Sequence, residues 1–159
     1  MGKLTEPLGD IGDDECGLPR ALEAMGERWS FMILRAAFNG LKHFEEMQSN
    51  LGIARNILAN RLGRLVESEI LERQPCPDDR RKVEYKLTKK GESLLPTMIA
   101  LRQWGEQWGT GVPSNPVLCD ERDRQPVQII RVHAHDGRPL DWHDLLWVDQ
   151  SDVIAVAAE

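Results

Sequence analysis

Arg55, Asn56, Asn60 and Arg64 are the side chains of this sequence best suited to recognition chemistry. An arginine fork pairs bidentately with guanine, and an asparagine amide pairs with adenine. They lie in the stretch Gly52–Glu67, where Leu58, Leu62, Leu65 and Val66 recur three or four residues apart. That spacing predicts a helix with one apolar face. Arg55, Asn56, Ala59, Asn60, Gly63 and Arg64 then fall on the opposite side, where the small residues permit close approach to a groove. On its own the pattern also fits a solvated surface helix, so the flanking chain has to decide.

A second group is cationic. Arg80, Arg81 and Lys82 follow Pro75-Cys-Pro-Asp-Asp, between an apolar run starting at Ile70 and the alternating Val83-Glu-Tyr-Lys-Leu87. Two short strands around a turn make a hairpin. Three cations at its tip suit a phosphate backbone or a minor groove. Other chemistry is sparse. No Ser/His/Asp set or carboxylate pair stands out, so an enzyme is not expected. Cys16, Cys76 and Cys119 are an odd, widely spaced count and form no internal disulfide framework. His133-x-His135-Asp136 with His143 would place two ligands on one strand face, but nothing supplies a second shell. No metal and no cofactor are expected.

The elements that must position these residues follow the chain. Residues 1–15 are rich in Gly, Asp and Glu and are expected to be a loose arm. Pro19 suits a first helical turn, and Leu18, Leu22 and Met25 share a side of a helix ending near Gly26. In a second helix Trp29, Met32, Ile33, Ala36 and Ala37 form a stripe, Phe31 and Leu34 add bulk elsewhere, and Asn39-Gly40 stops it. A short helix with Phe44, Met47 and Leu51 then breaks at Ser49–Gly52. Short helix, glycine turn and longer amphipathic helix make a helix-turn-helix, with Gly52–Glu67 in the recognition position and the hairpin as its wing. Thr88 is expected to cap a last helix that Pro96 kinks. Its apolar stripe, Leu94, Leu95, Met98, Leu101, Trp104 and Trp108, is wider than the wing can cover. A dimer interface is expected there.

Charge agrees with this layout. The net charge is −6, which argues against a blanket nucleic-acid binder. Residues 51–90, however, hold ten Lys/Arg against six acids, a local +4, leaving −10 on the rest. A basic middle on an acidic body is the patch a selective DNA reader needs. Without a secretion signal, a myristoylation motif or an apolar run near the roughly 18 residues of a membrane span, the chain is expected to be cytoplasmic, with no membrane partner.

In order, Cys16-x-Leu-x-Arg-Ala-Leu, Gly26-Glu-Arg-Trp-Ser, Ile33-Leu-Arg, Phe44-x-Glu-Met, Gly52-Ile, Leu58-x-x-Arg-Leu-x-x-Leu65, Val83-Glu-Tyr-x-Leu-Thr-x-x-Gly91 and Leu94-Leu-Pro resemble the HxlR-type regulators, a branch of the MarR-like winged-helix proteins. The resemblance covers Cys16 to about Gly109. It implies an α+β fold: a winged helix-turn-helix domain (16–109) with flanking dimerisation helices, preceded by the arm 1–15 and followed by a small β-rich appendage (110–159). It also implies a bacterial, homodimeric regulator without catalysis, whose partners are double-stranded DNA, a second copy and an unidentified small-molecule effector. Arg55, Asn56, Asn60, Arg64, Arg80, Arg81 and Lys82 become the DNA-binding set. Leu18, Leu22, Leu101, Trp104 and Trp108 become the dimer set. Cys16 falls where many members carry a redox- or electrophile-sensing thiol. A helix start favours thiolate there, while Asp13, Asp14 and Glu15 oppose it. One departure is Ala54, where the family usually offers a Ser or Thr cap, a loss worth about 0.5–2 kcal/mol.

The tail adds expected strands at 126–132, 145–148 and 153–156, with a hairpin turn at Asp136-Gly137. Gly137-Arg-Pro-Leu-Asp141 resembles the end of a zinc-ribbon-like extension found in some members. Such a site needs two Cys-x-x-Cys pairs, and Cys119 is the one thiol here.

Overall fold

Leu58, Leu62 and Leu65 are completely buried, and the helix that carries them is the centre of the fold. The computed structural model describes residues 17–77, 79, 81–112, 114–148 and 150–153. Its helices are α1 (Gly17–Met25), α2 (Arg28–Phe38), α3 (Phe44–Leu51), α4 (Arg55–Glu67), α5 (Lys89–Glu92) and α6 (Leu95–Trp104). Two strands, β1 (Leu71–Pro75) and β2 (Val83–Leu87), form an antiparallel pair with Leu71 opposite Leu87 and Pro75 opposite Val83. The architecture is α+β: helices around one small sheet.

Ile33 and Leu34 of α2, Met47 of α3, and Ile53, Ile70 and Leu71 at the joints close around the α4 leucines. The buried face of α2 is Ser30, Ile33, Leu34 and Ala36, rotated from the expected stripe. Trp29 and Met32 are only half-buried. With apolar residues on every side of α2, periodicity could not choose the face. α3 ends on Gly52, whose φ of 60° is left-handed, so glycine turns the chain into α4 without strain.

The wing is fixed at both ends. On one side, the Tyr85 N–H donates to the Lys42 carbonyl (2.8 Å), and His43 Nδ1 lies 3.2 Å from the Val83 carbonyl. On the other side, Thr88 Oγ1 accepts from the Gly91 N–H (3.1 Å) and donates to the Glu69 carbonyl (2.6 Å). Thr88 is thus the expected cap, and it also ties the last helices to the turn after α4. A Cβ at Gly91 would lie 2.2 Å from the Ile70 carbonyl oxygen, which explains glycine in Leu87-Thr-x-x-Gly91.

Pro96 does not kink a helix. It stands in the first turn of α6, after a break at Ser93–Leu94, where a missing N–H costs nothing. Leu94 and Met98 pack against the core. Beyond them the helix loosens to π-type turns over Gly105–Thr110 and stops at Gly111, φ 68°.

The tail departs from the expected strands. Residues 126–132 and 145–148 form no strand beyond single bridge positions at Pro126 and Leu146, and 154–156 lie outside the described residues. Isolated antiparallel bridges join Cys119 to Pro126 and His133 to Pro139. The turn at Asp136-Gly137 is present, with Gly137 at φ 82°. Short 3-10 turns follow at Trp142–Asp144 and Gln150–Asp152. β-branched residues favour strands only when a partner strand supplies packing, and among the described residues of the tail the pairing stops at single bridges.

Candidate nucleic-acid interface

Burying Leu58, Leu62 and Leu65 turns the rest of α4 outward. Arg55, Asn56, Ala59, Asn60, Gly63 and Arg64 are all exposed, as the spacing predicted. A Cβ at Gly63 would meet nothing within 4 Å, so the middle of this face is open. The side chains of Asn56, Asn60 and Arg64 form no hydrogen bond or ion pair among the described residues, leaving their donors and acceptors for a ligand. The N-terminus of α4 has no side-chain cap at Ala54.

Arg55 is held differently. Its guanidinium lies over the Phe44 ring, 4.9 Å from the centroid. Such cation–π stacking stiffens the arginine while leaving its N–H fork outward. Arg55 and Phe44 share a cleft of about 590 Å³ with His43, Glu45, Glu46, Arg81, Lys82, Val83 and Tyr85. The cleft runs between the start of α4 and the wing. Sequence reading missed Phe44 and His43 as parts of this surface. Phe44 read as core because it sits on the apolar stripe of α3, and half of it does pack there.

The wing tip places its cations unequally. Arg80 lies outside the described residues. Arg81 is tied to Asp79, with its backbone N–H and Nε donating to Oδ1 at 3.1 and 3.2 Å. Those hydrogen bonds, with the nearby Lys82 charge, hold the Asp79 carboxyl below its ordinary pKa. Lys82 is exposed, and its backbone N–H and carbonyl close the turn on Asp79 and Cys76. Near the turn end of the hairpin, opposite Gln74, Glu84 is the most buried residue of β2, at 9 % exposure, against the expected alternation. It accepts from Lys86 at 2.9 Å and from the Cys76 thiol at 3.6 Å. The Lys86 partnership keeps the carboxyl below its usual range and raises the Lys86 ammonium.

Arg61 borders the apolar face of α4 and pairs with Glu27, just before α2. It braces α4 from the side away from the exposed stripe. The tail histidines form no centre: among the described residues no group of three or more His, Cys, Asp or Glu could hold a metal ion. No helix of the described residues is long and apolar enough to cross a membrane. Cys16 lies outside the described residues, while Cys76 and Cys119 are free thiols.

The geometry is that of a helix-turn-helix with a wing, and comparison with known proteins agrees. The family model described as HxlR-like helix-turn-helix matches residues 24–112. The chain belongs to the HxlR-like helix-turn-helix family. An HTH-type transcriptional regulator of Mycobacterium tuberculosis (strain ATCC 25618 / H37Rv), Rv3095, is 44 % identical over 89 residues, 56 % of this chain and 56 % of that protein. The chain therefore matches only about half the length of that relative. The HTH-type transcriptional regulator YodB of Bacillus subtilis (strain 168) is 35 % identical over 113 residues, 70 % of this chain and 98 % of YodB. Among solved structures, the candidate transcription factor PA1607 superposes with a TM-score of 0.79 at 40 % identity, covering 85 % of this HxlR-like chain and 94 % of its own. That coverage exceeds the span of the family model, so the similarity to PA1607 reaches outside residues 24–112.

Proposed function

We propose that this HxlR-like protein is a sequence-specific DNA-binding transcriptional regulator. The observation that carries the reading is the outward face of α4: two arginines and two asparagines, with small residues between them, on a helix anchored by three buried leucines. In this reading Arg55, Asn56, Asn60 and Arg64 meet base edges or nearby phosphates in the major groove. Arg80, Arg81 and Lys82 hold the backbone at the wing. The protein acts as a homodimer, and half-sites lie about one helical turn apart on a pseudo-palindrome. Exposure of Leu18, Leu22, Leu101, Trp104 and Trp108 supports pairing through α1 and α6. The division into arm 1–15, DNA-binding and dimerisation domain 16–109 and extension 110–159 belongs to the same reading.

Switching by a thiol is the refinement we attach to it. The relative YodB has been solved in a reduced form, 30 % identical to this chain with a TM-score of 0.53, and in a quinone-bound form. Here Cys16 is the proposed sensor. Two Cys16 thiols from two copies would lose two protons and pass two electrons to an oxidant as they join. Non-reducing electrophoresis after oxidant treatment reads that link, and a Cys16→Ser variant should abolish it.

The decisive experiment is selection from a random DNA pool with reduced protein, repeated after mild oxidation. Recovery of an inverted repeat is the expected result, and loss of recovery on oxidation supports Cys16 as the switch. No enrichment in either state, together with co-purification of a protein partner, would replace the DNA reading with that of a winged-helix scaffold for protein assembly.

A further inference from the structure

Among the described residues, all eighteen exposed large apolar side chains lie on α1, on α6 or beyond it, and none falls between Glu23 and Leu94. The tail is the extreme case. None of its described residues is buried, yet it exposes Ile129, Val132, Trp142 and Trp147 at more than half their surface. Its hydrogen bonds are mainly local turns. Two side chains of α6 reach it from further off: Arg102 donates from a terminal guanidinium nitrogen to the Pro116 carbonyl (2.5 Å), and Gln103 donates from Nε2 to the Gln128 carbonyl (2.9 Å) and accepts from the Ile130 N–H (2.9 Å). A side-chain amide here pairs with tail backbone as a neighbouring strand would, laying residues 128–130 along α6. Between them opens a groove of about 650 Å³, with Ile99, Val112, Val117, Leu118, Val127 and Ile129 among its walls. A segment ordered without burial of its own needs apolar cover from elsewhere.

We propose that the groove receives α1 of a second copy, with Leu18 and Leu22 entering between α6 and the tail, so that the tail straps the partner. The proposal rests on the homodimer reading and adds the tail to it. Four observations favour this occupant. Leu18 and Leu22 are spaced i, i+4 and are 63 % and 57 % exposed, so their own chain does not seat them. Groove and knobs on one chain, unsatisfied in cis, are matched twice by a twofold axis. Both surfaces are locally neutral in a chain of net charge −6: α1 carries Arg20 and Glu23, and the groove carries Arg102 paired with Glu106 at 2.9 Å. Finally, the exposed leucines and tryptophans of α1 and α6 alone offer on the order of 600 Å², below the roughly 800 Å² per partner of a standard interface. The tail supplies the remainder.

The test uses the full chain with a photo-crosslinking benzoylphenylalanine at Ile129, in mixed isotopically light and heavy copies. Adducts between copies that map to residues 17–25 are expected. In sedimentation equilibrium, Val127→Ser with Ile129→Ser should raise the dimer dissociation constant at least tenfold with an unchanged far-UV spectrum. Adding Leu18→Ser and Leu22→Ser should cost less than in the parent, because the two sites are one contact. A protein that stays dimeric but crosslinks only within a copy, or whose dimer ignores the tail pair, overturns the strap and leaves the homodimer. A small molecule found in the groove by native mass spectrometry overturns it as well. A monomer at every concentration instead overturns the homodimer reading beneath it.

Discussion

The two halves of this protein solve the same problem differently. From Met25 to Glu92 the chain closes a core of its own, to which Leu94 and Met98 add: eleven apolar core residues are buried, and no large apolar residue is exposed among the described residues. Outside it, α1, α6 and the tail leave their apolar surface open. One half presents polar groups that want a ligand, and the other presents apolar groups that want a cover. A mutation in the first should act on a single chain at any dilution. A mutation in the second should act through association and fade as the protein is diluted.

The largest effect expected is at Gly91. Gly91→Ala drives a methyl into the Ile70 carbonyl and should cost about 3 kcal/mol or more of unfolding free energy, read as a lower urea midpoint at every protein concentration. Trp104→Ser should leave the dilute unfolding midpoint in place and lower only the concentrated one. If both shift alike, the halves are not separable. Next is the reading face. Asn56→Ala should lose about 1–3 kcal/mol at particular base pairs while keeping the salt slope. Lys82→Ala should weaken all sequences and flatten the slope of log affinity against log salt by about 0.9. A wing substitution that leaves the slope unchanged would remove the wing from the interface.

Gly63→Ala sharpens the contrast between folding and function. The site is open, so helix propensity should stabilise the protein by about 1 kcal/mol, while an added methyl on the exposed face should weaken DNA binding. Stabilisation without lost affinity would mean that α4 does not sit deep in a groove. The smallest effect is a pH dependence. Glu84 has a folded pKa below its unfolded value. Its contribution is therefore complete above the ordinary glutamate range and disappears as pH falls through the lowered folded value. Thermal melts of the parent and Glu84→Gln should differ at neutral pH and converge in acid.

Much of the reading half was legible because its signals agree with one another. The α4 leucines, the Gly52 turn, Thr88 and the hairpin each carry a local rule that matches the tertiary outcome. Legibility failed where local rules were ambiguous or depended on distant partners. α2 is apolar all round, so Ser30 displaced Met32 from the core. Pro96 has two helical meanings, and the break at Ser93–Leu94 chose the start of a helix over a kink. Glu84 reads as the solvent side of an alternating strand, yet Lys86 and Cys76 partner it beside the turn of the wing. The tail's Val and Ile runs look like strands, but alternation alone does not provide a neighbour to pair with. The pairing of Arg61 with Glu27 was half legible: the border position of Arg61 hinted at a brace, and its partner thirty-four residues away did not.

The anchoring of α6 has a mechanical consequence. Leu94 and Met98 clamp its first turns to the core, and Thr88 locks the preceding turn to the wing, so the helix leaves the domain as a cantilever with a fixed root. The six residues from Ile99 to Trp104 project roughly 9 Å at about 1.5 Å per residue, and the π-type turns over Gly105–Thr110 carry the beam further. In the proposed dimer, two such beams, each packed against the other copy's α1, would set the separation of the reading heads by stiffness rather than by a slack tether. An operator for such a protein tolerates little change in spacing: inserting half a helical turn between half-sites should abolish joint binding, while a single inserted base pair should be resisted by the bending of two helices.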